Sequence, residues 1–388
     1  MRLHRIALAL LLATTLSAQR QKLPDINAET PAGQALQQIG QESDAAKKLQ
    51  LMDAFLEKHA SHEAALWVLE QSATGYLKAG QFDKVITAAE KLLAKDPDDT
   101  TTAYNALKAS EGKKDADLVR KWSDATSAAA RKAAAVPKPA DADAVESWTN
   151  AVDYAKQVDV YTEYSLYATG LQVPDPAKKI MLYEALQARN PNSEHLKLFT
   201  VPYFLALRQA NENDKAIAVA EKAIAAGENN EDMMLVVIDS YFNKKQNPDQ
   251  VVALGTKLGD LMTAKAKPEG VSDEDWTKRK NLMAGLGYWM AGVTQGNQNK
   301  YVESDATLRK ALPLVEGNEA LKAQALFYLG LANYKLGEPK KDRNYLSEAL
   351  KFNNQCAAIK SPFQSQARQN AAVITKQLPP APPAKKKK

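Results

Sequence analysis

The chain has 388 residues, 51 Lys and Arg against 46 Asp and Glu, and a formal net charge of +5. It is longer than one globular core usually grows. Losing Arg2 and Arg5 with a cleaved leader leaves +3, and setting aside Lys385, Lys386, Lys387 and Lys388 leaves −1. The basicity therefore sits in the tail, which argues against a nucleic-acid groove, since that needs a broad basic face on many phosphates.

The N-terminus reads as an export signal over residues 1–18. Arg2, His4 and Arg5 make a basic opening, Ile6 to Leu12 an apolar run, and Thr14 to Ala18 a small-residue site suited to cleavage after Ala18. The run is shorter than the roughly 20 residues a membrane span needs, and no lipid-accepting cysteine follows it. A periplasmic or secreted protein is expected. Residues 19–31 are polar and turn-rich, a loose lead-in.

From Leu66 to Pro97 the sequence predicts two amphipathic helices joined by a tight turn. Leu66, Leu69, Ala73, Tyr76 and Leu77 share one face, and Phe82, Val85, Ile86, Ala89, Leu92 and Leu93 another. Gly80 between them can take the positive φ that ends a helix, and Asp96-Pro97 closes the unit. Such a hairpin cannot bury both apolar faces alone and needs others stacked beside it.

The middle of the chain continues in this way. Pro137 and Pro139 interrupt the helices at 135–143, and Pro268 and Gly270 do so at 267–273. Phe204, Leu205 and Leu207 precede a good second helix at Lys215 to Ile224. Met234, Val237, Ile238 and Tyr241 open another unit. The short run Met233 to Ile238 has strand character, but its continuation to Phe242 fits a buried helix better. Leu282, Leu286, Gly287 and Met290 open one more, with Tyr301, Leu308, Ala311 and Leu312 after an enlarged turn. Leu326 to Gly337 reads as a first helix with its turn, followed by Leu346, Ala349 and Leu350.

This pattern resembles the tetratricopeptide repeat, a helix–turn–helix of about 34 residues. Leu69, Ala73, Tyr76, Gly80, Phe82, Ala89 and Pro97 stand at matching positions. Val85 and Leu92 replace the usual alanines, which implies a looser crossing, and Asp342 replaces a small apolar residue, which implies an open one. The resemblance runs from about Ala32 to Leu378. It implies an all-α fold over 32–378, TPR-like helix–turn–helix repeats stacked into a right-handed superhelix, or α-solenoid.

The resemblance also implies a concave groove that receives a protein or peptide. Its inward positions would include Trp67, Glu70, Thr74 and Lys78, then Phe327, Leu331, Tyr334 and Lys335. For every aromatic, packing between helices competes with recognition: Tyr76 and Tyr241 are read as packing, while Tyr288 and Trp289 fit either. The Asn and Lys of the family's carboxylate clamp do not recur, so a chaperone-tail clamp is not implied. Phe55 to Ala60 resembles units of outer-membrane-assembly lipoproteins, although the missing lipidation cysteine counts against membership.

Motifs for chemistry are lacking. There is no Gly-x-Ser-x-Gly elbow, Cys-x-x-Cys pair or phosphate loop. His59 and His62 flank a break at Ala60-Ser61, with Ser61 able to cap the next helix, and read as surface histidines, not zinc ligands. His195 follows Asn190-Pro191-Asn192 and reads as solvent-exposed. Gly285-Leu286-Gly287 suits close helix packing better than a dinucleotide. Cys356, the only cysteine, allows no internal disulfide and reads as a small buried hydrophobe.

The expected function is a non-enzymatic scaffold for proteins or peptides of the cell envelope, with no cofactor and no metal. An envelope-assembly component, a cell-wall-polymer binder and a helical-repeat enzyme are the alternatives. The tail at 379–388 is too rich in proline to join a core. Its lysines suit weak contact with an anionic membrane or cell-wall polymer, or simply solubility.

Overall fold

A computed structural model of the chain describes residues 20–378, and among these the regular structure is helical, with no strand. The leader at 1–18 and the tail lysines at 385–388 lie outside the described residues. The chain divides after Asn211 into two compact units.

The first unit holds α1 (Pro31–Gln41), α2 (Ala45–Lys58), α3 (Ala65–Lys78), α4 (Phe82–Leu93), α5 (Thr100–Lys113), α6 (Ala116–Ala134), α7 (Ala142–Gln172), α8 (Pro176–Arg189) and α9 (Glu194–Gln209). Short acceptors start many of these helices. Asp44, Asp99, Asp115, Asp141 and Asp175 each accept a backbone N–H of the first turn, which satisfies donors the helix cannot. At the α3–α4 turn Gly80 has φ 67°. Gly80 N–H donates to Leu77 O at 3.1 Å and Gln81 N–H to Tyr76 O at 2.9 Å, a Schellman closure. Val85 and Leu92 are fully buried.

Within this unit consecutive helices pack on one another from α1 to α9. Contacts of α3 with α5, α5 with α7 and α7 with α9 gather the odd-numbered helices into one layer, while α6 with α8 belongs to the other. Phe55, Leu92, Leu107, Leu166, Phe199 and Leu207 are among the side chains sealed between the layers. The lead-in is held at its start: Arg20 Nε donates to Asp96 Oδ2 at 2.6 Å, and Gln21 Nε2 to Asp96 and Asp99 at 2.7 and 3.2 Å.

The second unit holds α10 (Asn213–Ala225), α11 (Glu231–Lys244), α12 (Pro248–Ala264), α13 (Asp273–Asn297), α14 (Tyr301–Ala311), α15 (Glu319–Gly337), α16 (Arg343–Ala358) and α17 (Gln364–Gln377). It follows the same rule, with α11, α13, α15 and α17 touching in turn. Its core runs from Met234 and Ile238 through Met290 and Leu308 to Phe352 and Cys356. The segment with strand character, Met233 to Ile238, is inside α11.

Several expectations need correction here. The enlarged turn before Tyr301 does not exist: α13 continues to Asn297 and only residues 298–300 intervene. Gly292 and Gly296 leave the helix intact and make room for Leu308 and Tyr328, since a Cβ at either would lie 2.6 or 2.8 Å from those side chains. Leu282 is exposed on α13. Asp342 does not open a crossing, because it precedes α16 as its cap, accepting from Asn344 N–H at 2.9 Å. Ser61 is not the cap of α3. The ring of His62 is nearer that role, its Nδ1 accepting from Ala64 N–H at 3.1 Å.

Candidate functional site

The face of α3 that carries Trp67, Glu70, Thr74 and Lys78 borders α5, for Asn105 Nδ2 donates to Thr74 Oγ1 at 3.0 Å. Spacing alone places these four side chains together. Burial then separates them: Glu70 is buried, Trp67 and Thr74 are half-buried, and Lys78 is exposed.

On the next odd helices, α5 and α7 meet through a charged and aromatic cluster. Lys108 Nζ donates to Glu111 Oε2 at 2.5 Å and to Tyr161 Oη at 2.6 Å. Tyr161 Oη donates to the Glu111 carboxylate at 2.9 Å. The Tyr104 ring meets the Tyr161 ring edge-on at 5.3 Å. Burial pushes the Tyr104 phenol up to about 12. Burial, followed by the Glu111 charge, pushes Tyr161 higher still. Both phenols stay protonated at neutral pH, and the one ammonium and one carboxylate satisfy each other. The four side chains form one connected cluster. It braces α5 against α7.

Between α7 and α9 the layer turns apolar. His195 stacks on Tyr167 with centroids 5.0 Å apart and lies 5.9 Å from the Tyr164 ring. It is half-buried, and so not the free surface histidine its sequence position suggested. Phe199 seats against Gly170, where a Cβ would lie 2.1 Å from its ring. Outward from this seam stand Val160 (63% exposed), Tyr164 (43%) and Leu171 (42%) on α7, with Leu198 (63%) and Leu205 (44%) on α9. Tyr167 completes the α7 row at helical spacing of four, three and four residues. The sequence missed this row because α7 and α9 carry apolar residues all round. Only partners about thirty residues away decide which of them stay uncovered.

In the second unit, α15 places its candidate residues in contacts. The Phe327 ring lies 5.0 Å from Phe363. Tyr334 packs on the cluster of Leu346, Ala349 and Ile374 and donates to Glu338 Oε1 at 2.5 Å. Lys335 lies 3.9 Å from the Glu338 carboxylate, and Leu331 is half-buried. Tyr288 donates to Asp260 at 2.6 Å and Trp289 lies 5.1 Å from Phe242, so both serve packing. A recess of about 350 Å³ among Leu312, Leu326, Gln355 and Ile359 is edged by Glu316 and Lys322, which pair with each other. His59 and His62 lie against Phe55. Among the described residues, no group of three or more His, Cys, Asp or Glu side chains could hold a metal ion, and no helix is long and apolar enough to cross a membrane.

No protein-family profile matches the chain, and no curated protein matches it. Among solved structures, the TPR domain of P58(IPK) aligns with 90% of this chain and 98% of its own, at 13% identity and a TM-score of 0.26. So loose a superposition says nothing about sites or partners. The description of stacked helical hairpins stands on the packing of this chain's own helices.

Proposed function

We propose that the chain is an exported, non-enzymatic scaffold that holds protein or peptide partners of the cell envelope against the odd-numbered helices of its first unit. One observation carries this reading: the uncovered row of Val160, Tyr164 and Leu171 beside Leu198 and Leu205. Five large apolar side chains on two adjacent helices are more than scattered surface residues, and such patches mark interaction surfaces. Tyrosine suits the task, because it buries a large area with few rotors and keeps a polar tip.

A stack of helical hairpins typically works by binding, and the charged cluster beside the row is internally neutralised. Export is inferred from the basic, apolar and small-residue order of the first 18 residues. The periplasm follows if the cell has two membranes.

Affinity capture from an envelope extract tests the scaffold. Tyr164→Ser with Leu198→Ser should abolish recovery of defined partners, while Val302→Ser, on an exposed apolar residue of the second unit, should not. Equal recovery with all three proteins would sink the proposal. Phe327→Ala with Tyr334→Ala is a poorer test, because both rings support their own unit.

A further inference from the structure

The second unit brings the end of α15, the start of α16 and the end of α17 to one junction. Tyr334 joins them, bonded to Glu338 and to Gln377. Leu378 packs with Tyr334 and Leu350 onto Leu346, Ala349 and Ile374. Around this junction Lys340, Lys341 and Lys376 are exposed and Arg343 is half-buried. Among the described residues none of these four cations has an ion-pair partner. The nearby carboxylates are engaged: Glu338 takes Tyr334 and Lys335, and Asp342 caps α16.

Elsewhere among the described residues of this unit, unpaired cations such as Lys222, Lys257, Lys280 and Lys360 are spread along the sequence among paired ones. Lys340, Lys341 and Arg343 instead fall within four residues, and Lys376 adjoins Gln377, which bonds Tyr334. Lys265 pairs with Glu231, Lys300 with Asp249, Lys310 with Asp260 and Lys322 with Glu316. Helix dipoles do not explain the cluster either. Lys340 and Lys376 suit the ends of α15 and α17, but Arg343 opens α16, where a positive charge is disfavoured. Two residues on, Tyr345 is 41% exposed. The chain then continues past Leu378 to Lys385, Lys386, Lys387 and Lys388.

We propose that this junction is a docking face for the anionic surface of a phospholipid bilayer. Lys340, Lys341, Arg343 and Lys376 meet lipid phosphates, and the ring of Tyr345 settles at headgroup depth. Uncompensated cations beside an exposed tyrosine are the chemistry such an interface takes. With no long apolar insertion, binding is peripheral, reversible and sensitive to salt.

Vesicle co-sedimentation of the full chain tests this, with phosphatidylcholine alone, phosphatidylcholine mixed with phosphatidylglycerol, and insoluble cell-wall polymer as a separate arm. The expected result is retention on the mixed vesicles only, reversed by high salt. Lys340→Ser, Lys341→Ser and Arg343→Ser together should weaken it about a hundredfold with the tail intact, as each cation contributes roughly fivefold. Tyr345→Ser should weaken it a few-fold. Circular dichroism confirms that each variant is folded, and a triple variant with Lys322→Ser, Lys310→Ser and Lys265→Ser controls for bulk charge. Equal binding by the junction variant and the parent would assign all attraction to the tail and overturn the proposal. Retention on polymer but not on vesicles would overturn it too, as would no retention at all.

Discussion

Gly255 and Gly287 face each other across the crossing of α12 and α13, and a Cβ on either would lie 2.6 Å from the carbonyl oxygen of the other. The backbones therefore touch where side chains would normally keep helices apart. Gly287→Ala should cost about 1–3 kcal/mol, because the obstacle is backbone and cannot rotate away. Gly40→Ala is the control: nothing lies within 4 Å of its Cβ position, and it should be neutral or stabilise α1 by up to about 1 kcal/mol. Urea denaturation of both variants checks the pair.

Arg189 ties three helices of the first unit. Its guanidinium donates to Asp124 and, at 2.8 Å, to Thr162 Oγ1, with only 6% of the side chain exposed. Arg120 donates to the other Asp124 oxygen at 2.7 Å. Arg189→Met should destabilise the first unit by about 2 kcal/mol. Arg189→Lys should not restore it, since one ammonium cannot reproduce a fork spanning two acceptors. Thermal unfolding of the two variants decides.

Acid should loosen both units through identifiable carboxylates. Burial alone would raise Glu231, but Lys265 at 2.7 Å, the residue's own backbone N–H and the Arg279 charge hold it below the usual carboxylate value. Burial opposes bonds from Arg20 and Gln21 at Asp96 with the same outcome. A depressed folded pKa means that the unfolded chain takes up the proton first. This stability is complete above the unfolded value, about 4.3 for Glu and 3.9 for Asp, and is lost as pH falls through the folded one. Lys265→Met should cost about 1 kcal/mol at neutral pH, discounted for the partial exposure of that lysine. It should also flatten the acid limb. Urea titrations at a series of pH values measure both effects.

Cys356 is fully buried, and its thiol donates to Ala323 O at 3.3 Å. Burial pushes that thiol up to about 11, so thiolate is scarce at neutral pH. A thiol reagent should fail to label the folded chain and label it stoichiometrically in denaturant. Rapid labelling of the folded chain would contradict this burial.

Local signals were legible in the sequence wherever they were self-contained. Gly80 marked its turn because glycine takes that φ without a Cβ penalty, and the apolar faces of α3 and α4 followed from spacing. The enlarged turn expected before Tyr301 was misplaced, because α13 runs on to Asn297 and its Gly292 and Gly296 make space for Leu308 and Tyr328 without breaking the helix. The row on α7 and α9 was not legible, since exposure there depends on which neighbours cover an all-round apolar helix. The stacking of His195 on Tyr167 was hidden for the same reason: the two residues are 28 positions apart and on different helices.

Within each unit a helix is braced chiefly by those just before and just after it, so the outermost ones have a single flank supported. Denaturant should peel each unit inward from its end helices, α1 and α9 in the first and α10 and α17 in the second, before the middle of that unit yields. Amide exchange would then show a gradient of protection within each unit in place of one sharp cooperative melt. Fraying of that kind would let an end rung detach and rejoin while the rest of the ladder stays intact.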